Sequence, residues 1–278
     1  MNEQSQAIIA LLTDFGRKGQ HYIASMKGVI LNINPFVKII DISHEITPFS
    51  IIEASYMIKS CYKHFPSNTI FIVVVDPDVG SHREILALKT SSNHYFIGPN
   101  NGIFSNAIKP GEIKECFEVN NEKYFSHPVS HTFHGRDIMA PVAAHLTKGL
   151  HLSTFGPLFD SKNILKYPLE YQVDPDKKKI RCSVCYIDSF GNITTNVPIY
   201  NNRIINTSIE LFLGALIRIR YNSIEFSGRF QSHFSTEPKG AMMFLTGSSG
   251  YLEISKNQED ASKTMGCKIG DIMTIFLE

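Results

Sequence analysis

Hydrophobic positions along this chain keep one rhythm over its first half and another over its last third. Residues 8–12 form a short apolar run ending in Thr13-Asp14-Phe15-Gly16, the pattern of a buried strand entering a turn. Ile23, Met26, Ile30 and Ile33 then recur at helical spacing, and Pro35 ends that helix. Residues 37–42 predict a second strand. Pro48 opens a second helix, with Ile51, Ile52, Ser55, Ile58 and Tyr62 on one face and Pro66 closing it. Residues 70–75 are an unbroken β-branched and aromatic run, as expected of a central strand covered on both faces. That run stops at Asp76-Pro77-Asp78-Val79-Gly80. Strands follow at 85–88 and 95–97, the second ending in Gly98-Pro99-Asn100-Asn101-Gly102, and a helix starting near Asp137 carries Ile138, Val142, His145 and Leu146.

The alternation predicts a Rossmann-like α/β domain over residues 1–160, with a largely parallel, mixed central sheet. In such sheets ligands bind beyond the carboxyl ends of the strands, where three of the polar loops just named lie. Residues 161–178 read as a linker. Over 179–278 helical periodicity fades, and short strands at 179–187, 215–221, 241–245, 251–254 and 271–276 predict an all-β domain, a small barrel or a sandwich.

Composition narrows the function classes. A formal charge of +1 gives no reason to expect nucleic acid or an anionic membrane as partner. No run approaches the roughly 18 apolar residues of a membrane span. The opening MNEQSQ lacks the basic and apolar regions of a signal peptide, so a cytoplasmic location is expected. Among the cysteines at 61, 116, 182, 185 and 267, only Cys182 and Cys185 are close. Without a second pair they read as two thiols on opposite sides of a strand, not as a zinc ribbon.

Candidate chemistry concentrates in residues 126–137, which hold His127, His131 and His134. A metal site using these imidazoles and Asp137 needs a continuous helix, and Pro128 and Gly135 argue against one. The other functional reading is a catalytic His134 in a loop, with Gly135 permitting close substrate approach and Asp137 capping the next helix. Surface histidines beside a cap are the plain alternative. Asp76 and Arg83 can meet across a strand–turn–strand, either as a structural pair or as a fixed guanidinium that polarises a water. Asp14 suits a sugar diol or an Asx-turn. Asp188-Ser189-Phe190-Gly191-Asn192 and Thr246-Gly247-Ser248-Ser249-Gly250 could each be a hairpin turn. No GxGxxG or GxxxxGK[ST] motif occurs.

Taken in order, LTDFG (12–16), VDPDVG (75–80), GPNNG (98–102), TFHGRDIMAP (132–141), DSFGNITTN (188–196) and GSSGYLEI (247–254) carry a family likeness. From about residue 8 to the C-terminus, the chain resembles the S-adenosylmethionine hydroxide adenosyltransferase family, relatives of the fluorinase and chlorinase. The resemblance implies an α/β domain followed by a β-barrel, in a homotrimer whose active sites lie between subunits. It also implies the conversion of S-adenosylmethionine and water to adenosine and methionine, with no cofactor and no metal. The implied catalytic set is Asp76, Arg83 and His134. Asp14 would hold the ribose, Phe133 and Gly135 would border the substrate, and Asp188 would hold the methionine ammonium. Asn192 would meet the adenine with Phe190 against it, and Ser248 and Ser249 would lie near the methionine end.

The halide-using relatives carry Tyr where Asp76 stands and Ser where Gly135 stands. An anionic Asp76 would repel halide, which favours hydroxide as nucleophile. Three positions depart from the family pattern: Asp78 replaces a glycine, Asn100 an aspartate, and Ser249 an arginine of the fluorinase. Two further readings stay open, a nucleoside-binding protein with little turnover and a metal hydrolase using the three histidines.

Overall fold

The computed structural model describes residues 6–278, which divide into two compact units, the first ending at Tyr167 and the second starting at Pro168. In the first unit, strands β1 (Ile8–Thr13), β2 (Lys38–Ser43), β3 (Ile70–Val74), β4 (Ile85–Thr90), β5 (Tyr95–Pro99) and β6 (Ile113–Glu118) form one sheet. Their order is β2-β1-β3-β5-β4-β6. The pairs β1–β2, β1–β3 and β3–β5 are parallel, while β4 runs antiparallel to β5 and β6.

Side-chain alternation assigns each strand's residues to two cores. Ile9 and Leu11 of β1 join Ile70, Ile72 and Val74 of β3 under helices α1 (Gln20–Ile33) and α4 (Ala140–Thr147). Ala10, Leu12, Phe71 and Val73 join the opposite core under α2 (Ile51–Cys61) and α3 (Ile103–Ala107). Both faces of the central strands are therefore dry, as their unbroken apolar runs imply. The chain leaves β1 toward β2 on one side and returns to β3 on the other. The carboxyl ends of β1 and β3 thus flank the crevice where the direction of winding reverses.

Two helix starts differ from expectation. Ser50, not Pro48, begins the second helix, its hydroxyl accepting a hydrogen bond from Glu53 N at 3.3 Å. The last helix begins before Asp137, through a π-helical turn at Gly135–Met139, so Asp137 lies inside the helical stretch and is not its N-cap. Its buried carboxylate is satisfied another way: it accepts from Ser130 N at 2.9 Å and holds the Arg136 guanidinium at 2.6 and 2.9 Å. A wider helical turn thus lets one carboxylate brace both the preceding loop and its neighbour's charge.

The second unit contains β7 (Tyr171–Asp174), β8 (Lys179–Ile187), β9 (Ile193–Tyr200), β10 (Arg203–Ile204), β11 (Leu216–Tyr221), β12 (Ile224–Phe230), β13 (Met242–Thr246), β14 (Tyr251–Lys256) and β15 (Ile272–Leu277). A β8–β9 pairing closes the order β9-β14-β13-β12-β11-β15-β8 into a barrel, with β7 and β10 added outside the ring. One short helix, α5 (Ala261–Met265), packs against its core. No helix among the described residues is long and apolar enough to cross a membrane.

Candidate active site

Loops after three of the parallel strands, together with the start of a helix, build a cleft of about 570 Å³ over the carboxyl edge of the first sheet. Its walls include Asp14 and Phe15 after β1, Phe49 after β2, Asp76 and Val79 after β3, and Phe133 to Arg136 at the start of the last helical stretch. This is an ordinary volume for a small-molecule site. Another cleft, of about 460 Å³, opens at the amino ends of β1, β3 and β5 and holds a Glu115–His151 pair at 3.2 Å.

At the first cleft Asp76, Arg83 and His134 form one unit. Arg83 Nε donates to Asp76 Oδ1 at 2.8 Å, and Arg83 Nη2 donates to Asp76 Oδ2. The same Nη2 lies 3.2 Å from His134 Nδ1. A guanidinium has no acceptor, so Nδ1 must be the bare nitrogen of a neutral imidazole and Nε2 must carry the proton. Burial lowers the His134 pKa below its usual value, and the nearby Arg83 charge lowers it further. The Asp76 and Arg83 side chains are only 4% and 7% exposed, so their forked pair is shielded from the solvent that weakens most surface ion pairs.

Backbone contacts keep these loops in register. Gly80 has φ +83°, and a Cβ there would lie 2.2 Å from His131 O, so only glycine lets the Asp76 loop touch the loop leading to His134. At Gly135 a Cβ would approach Val74 Cγ1 to 3.1 Å and Met26 Sδ to 3.4 Å. This glycine therefore seats the helix start on β3 as well as bordering the cleft. Asn101 Nδ2 donates to Val75 O at 2.8 Å, holding the residue just before Asp76.

Asp14 accepts from Phe49 N at 2.8 Å, and its pKa is raised chiefly by burial. Phe49 itself has φ +68° and is 66% exposed, an uncommon and strained conformation for a bulky residue. Sequence periodicity gave no reason to single it out; only its place between a strand end and an N-cap was a signal. Phe133 closes the opposite wall, meeting Phe15 and Tyr22 edge-on at 5.8 and 5.1 Å, with Arg136 5.0 Å over its ring.

The three histidines do not converge. His127 Nε2 contacts Glu122 O at 2.9 Å, and His131 is exposed. Asn100, which departs from the family pattern, donates to Glu84 Oε2 at 3.1 Å and accepts from Leu165 N at 2.9 Å. An aspartate could not donate to Glu84, so the amide matches its neighbour. Asp78 is exposed on the turn.

The other candidates sit on two turns of the barrel. Asp188 accepts from Phe190 N, Asn192 N and Asn192 Nδ2, each at 2.9 Å, and Phe190 is left 77% exposed. Gly191 packs this turn on Asp260, the N-cap of α5. Ser248 is exposed and Ser249 half-buried on the turn between β13 and β14. Glu253, which sequence reasoning did not select, lies within reach of both turns. A Cβ on Gly247 would meet its Oε2 at 3.0 Å, and burial together with the Asp188 charge raises its pKa.

Two family models match the chain, the SAM hydroxide adenosyltransferase N-terminal domain over residues 9–156 and its C-terminal domain over 182–274. An (R)-S-adenosyl-L-methionine hydrolase of Methanocaldococcus jannaschii is 37% identical, aligned over 99% of this chain and 98% of the relative. A fluorinase of Nocardia brasiliensis is 24% identical over 95% of this chain and 94% of its own. The crystal structure of an uncharacterized conserved protein from Thermotoga maritima superposes with a TM-score of 0.86 at 36% identity, covering 96% of this chain and 99% of that one. Its motifs, its two units and these matches together place the chain in the SAM hydroxide adenosyltransferase family.

Proposed function

We propose that this protein hydrolyses S-adenosylmethionine to adenosine and methionine by attack of water or hydroxide at C5′ of the ribose. The observation that carries the reading is the Asp76–Arg83–His134 unit beside a cleft of nucleoside size. Displacement at C5′ releases a neutral thioether from a sulfonium, so the leaving group needs no acid. The demanding partner is the nucleophile, since bulk water has a pKa near 15.7. Arg83, aimed by Asp76, supplies the fixed positive charge that favours hydroxide. His134 offers Nε2–H to the nucleophilic oxygen. It could accept a proton at Nδ1 only by giving up its contact with Arg83, so the geometry supports an orienting role over that of base.

Asp14 accepts the ribose hydroxyls in this reading, and Phe49 and Phe133 provide aromatic walls for the adenosyl group. Asp188, Asn192, Phe190, Ser248 and Ser249 serve the adenine and methionine ends in a homotrimer, where one subunit's barrel completes its neighbour's cleft. The relatives named as hydrolases over nearly their full length support the same reaction.

Incubation with S-adenosylmethionine in ¹⁸O-water tests the reaction directly. Mass spectrometry should find one heavy oxygen in adenosine and none newly placed in methionine. Asp76→Asn, Arg83→Lys and His134→Gln should each lower kcat by roughly a hundredfold or more. Tight adenosine binding without product would instead identify a nucleoside-binding protein, and full activity in all three variants would remove their assigned roles.

A further inference from the structure

Beside the cleft lies a chain of polar contacts that the reaction as described does not use. Lys27 Nζ of α1 donates to Asp41 Oδ2 of β2 at 2.6 Å, and Asp41 Oδ1 lies 3.1 Å from His44 Nε2, an ion-pair distance at which that buried nitrogen finds no well-aligned hydrogen bond. The other ring nitrogen, His44 Nδ1, is 2.9 Å from Thr13 Oγ1 at the end of β1. Thr13 is wholly buried, and its hydroxyl accepts from Phe15 N at 3.4 Å. One more bond returns from the turn to the same histidine, as Gly16 N donates to His44 O at 2.7 Å.

The protons can be placed from donor and acceptor capacity alone. A carboxylate only accepts, so the nitrogen facing Asp41 carries the hydrogen, and in the neutral ring Nδ1 is bare. Nδ1 therefore accepts the Thr13 hydroxyl proton, which leaves the Thr13 oxygen lone pairs to receive Phe15 N–H. The residue before Asp14 and the two amides after it are all tied, directly or through Thr13, to His44. Six residues further along from His44, within the same loop, Ser50 caps α2, and just before it Phe49 N–H holds the Asp14 carboxylate. The turn bearing Asp14 is thus fixed from both sides by one segment.

We infer that His44, oriented by Asp41, is a positioning residue for the substrate: through the Thr13 hydroxyl it holds the turn that aims Asp14 into the cleft. The buried Thr13 cannot reach a ligand, so the resemblance of Thr13, His44 and Asp41 to a nucleophilic triad is one of connectivity only. The inference rests on the proposed role of Asp14 in holding the nucleoside. It assigns specificity for the ribose to a relay reaching back to α1, apart from the group that handles the nucleophile.

The test compares Thr13→Val, nearly the same shape without the hydroxyl, with Thr13→Ser, which keeps it, and with His44→Asn, which can keep an acceptor facing Thr13. Removing one buried hydrogen bond should raise the KM for S-adenosylmethionine about tenfold in Thr13→Val, with a smaller fall in kcat. Thr13→Ser and His44→Asn should recover most of that loss. Amide hydrogen exchange at Phe15 and Gly16 should quicken in Thr13→Val and return toward normal in Thr13→Ser. A folded Thr13→Val with unchanged KM overturns the inference, as do equal losses in Thr13→Val and Thr13→Ser. If the unmodified protein neither turns over S-adenosylmethionine nor binds adenosine, the proposed function fails instead. Exchange at the turn still decides the relay in that case: unchanged protection in Thr13→Val overturns it.

Discussion

His134 meets Arg83 through Nδ1, and the direction of that contact requires a neutral imidazole. Its pKa lies below the ordinary 6.5 because burial and the Arg83 charge both disfavour protonation. The rate in kcat/KM should therefore be level near neutrality and fall on acidification, with the His134 limb below pH 6.5. In His134→Gln the remaining activity should lose that limb, which a pH–rate profile would read. The linked stability has the same sign. Between the depressed value and 6.5 the unfolded chain binds more protons than the folded one, so stability rises with pH across that window and is lost as pH falls. At this scale the legible residues were polar ones in loops: Asp14 and Asp76 after strands, Arg83 just ahead of β4, and His134 at a helix start. Phe49 was not legible, because its role follows from a positive φ and not from its type. His44 and Glu253 were hidden because their partners are distant in sequence or come from another turn.

Elements bring these residues together by close backbone approach. The loop after β3 and the stretch leading to the π-helical turn touch at Gly80 and His131, where no side chain fits. Gly80→Ala should force the loops apart and also strain the backbone at φ +83°, a cost of about 1–3 kcal/mol. The expected outcome is a turnover loss greater than tenfold with a melting temperature a few degrees lower; unchanged kinetics would show that the two loops need not touch. The strong strands and long helices followed from periodicity, since β1, β3 and α1 have apolar patterns that neighbouring cores reinforce. Weaker elements escaped for physical reasons. In β9, Thr194 and Thr195 are buried among apolar residues, and Thr195 is satisfied by donating to Leu252 O at 2.9 Å. Its polar residues therefore break the apolar alternation that marks a strand. The brief helix α3 is too short to establish a period.

The molecule as a whole separates its two kinds of architecture. The α/β unit ends at Tyr167 and the barrel unit follows, each with its own core. The expected homotrimer is tested by light scattering coupled to size-exclusion chromatography, which should return three times the chain mass; a monomer that hydrolyses S-adenosylmethionine at full rate would reject it. The division into an α/β half and a β half was legible from the change in hydrophobic period. The choice of barrel over sandwich came from the family likeness and not from the pattern, because closure depends on β8 meeting β9 and β15 together, long-range pairings that leave no local trace.

The crevice between β1 and β3 separates two tasks along a seam in the winding. Loops after β1 and β2 supply Asp14 and Phe49, which face the sugar in the proposed reaction. The loop after β3 and the stretch it touches supply Asp76, Arg83 and His134, which face the attacking oxygen. In that reaction, substitutions at Asp76 and Arg83 that change the nucleophile should leave the Asp14 and Phe49 contacts in place, while Phe133, beside His134, is shared by both tasks. On the proposed reaction the scaffold is a transferable handle for the adenosyl group, with an exchangeable tool mounted opposite it.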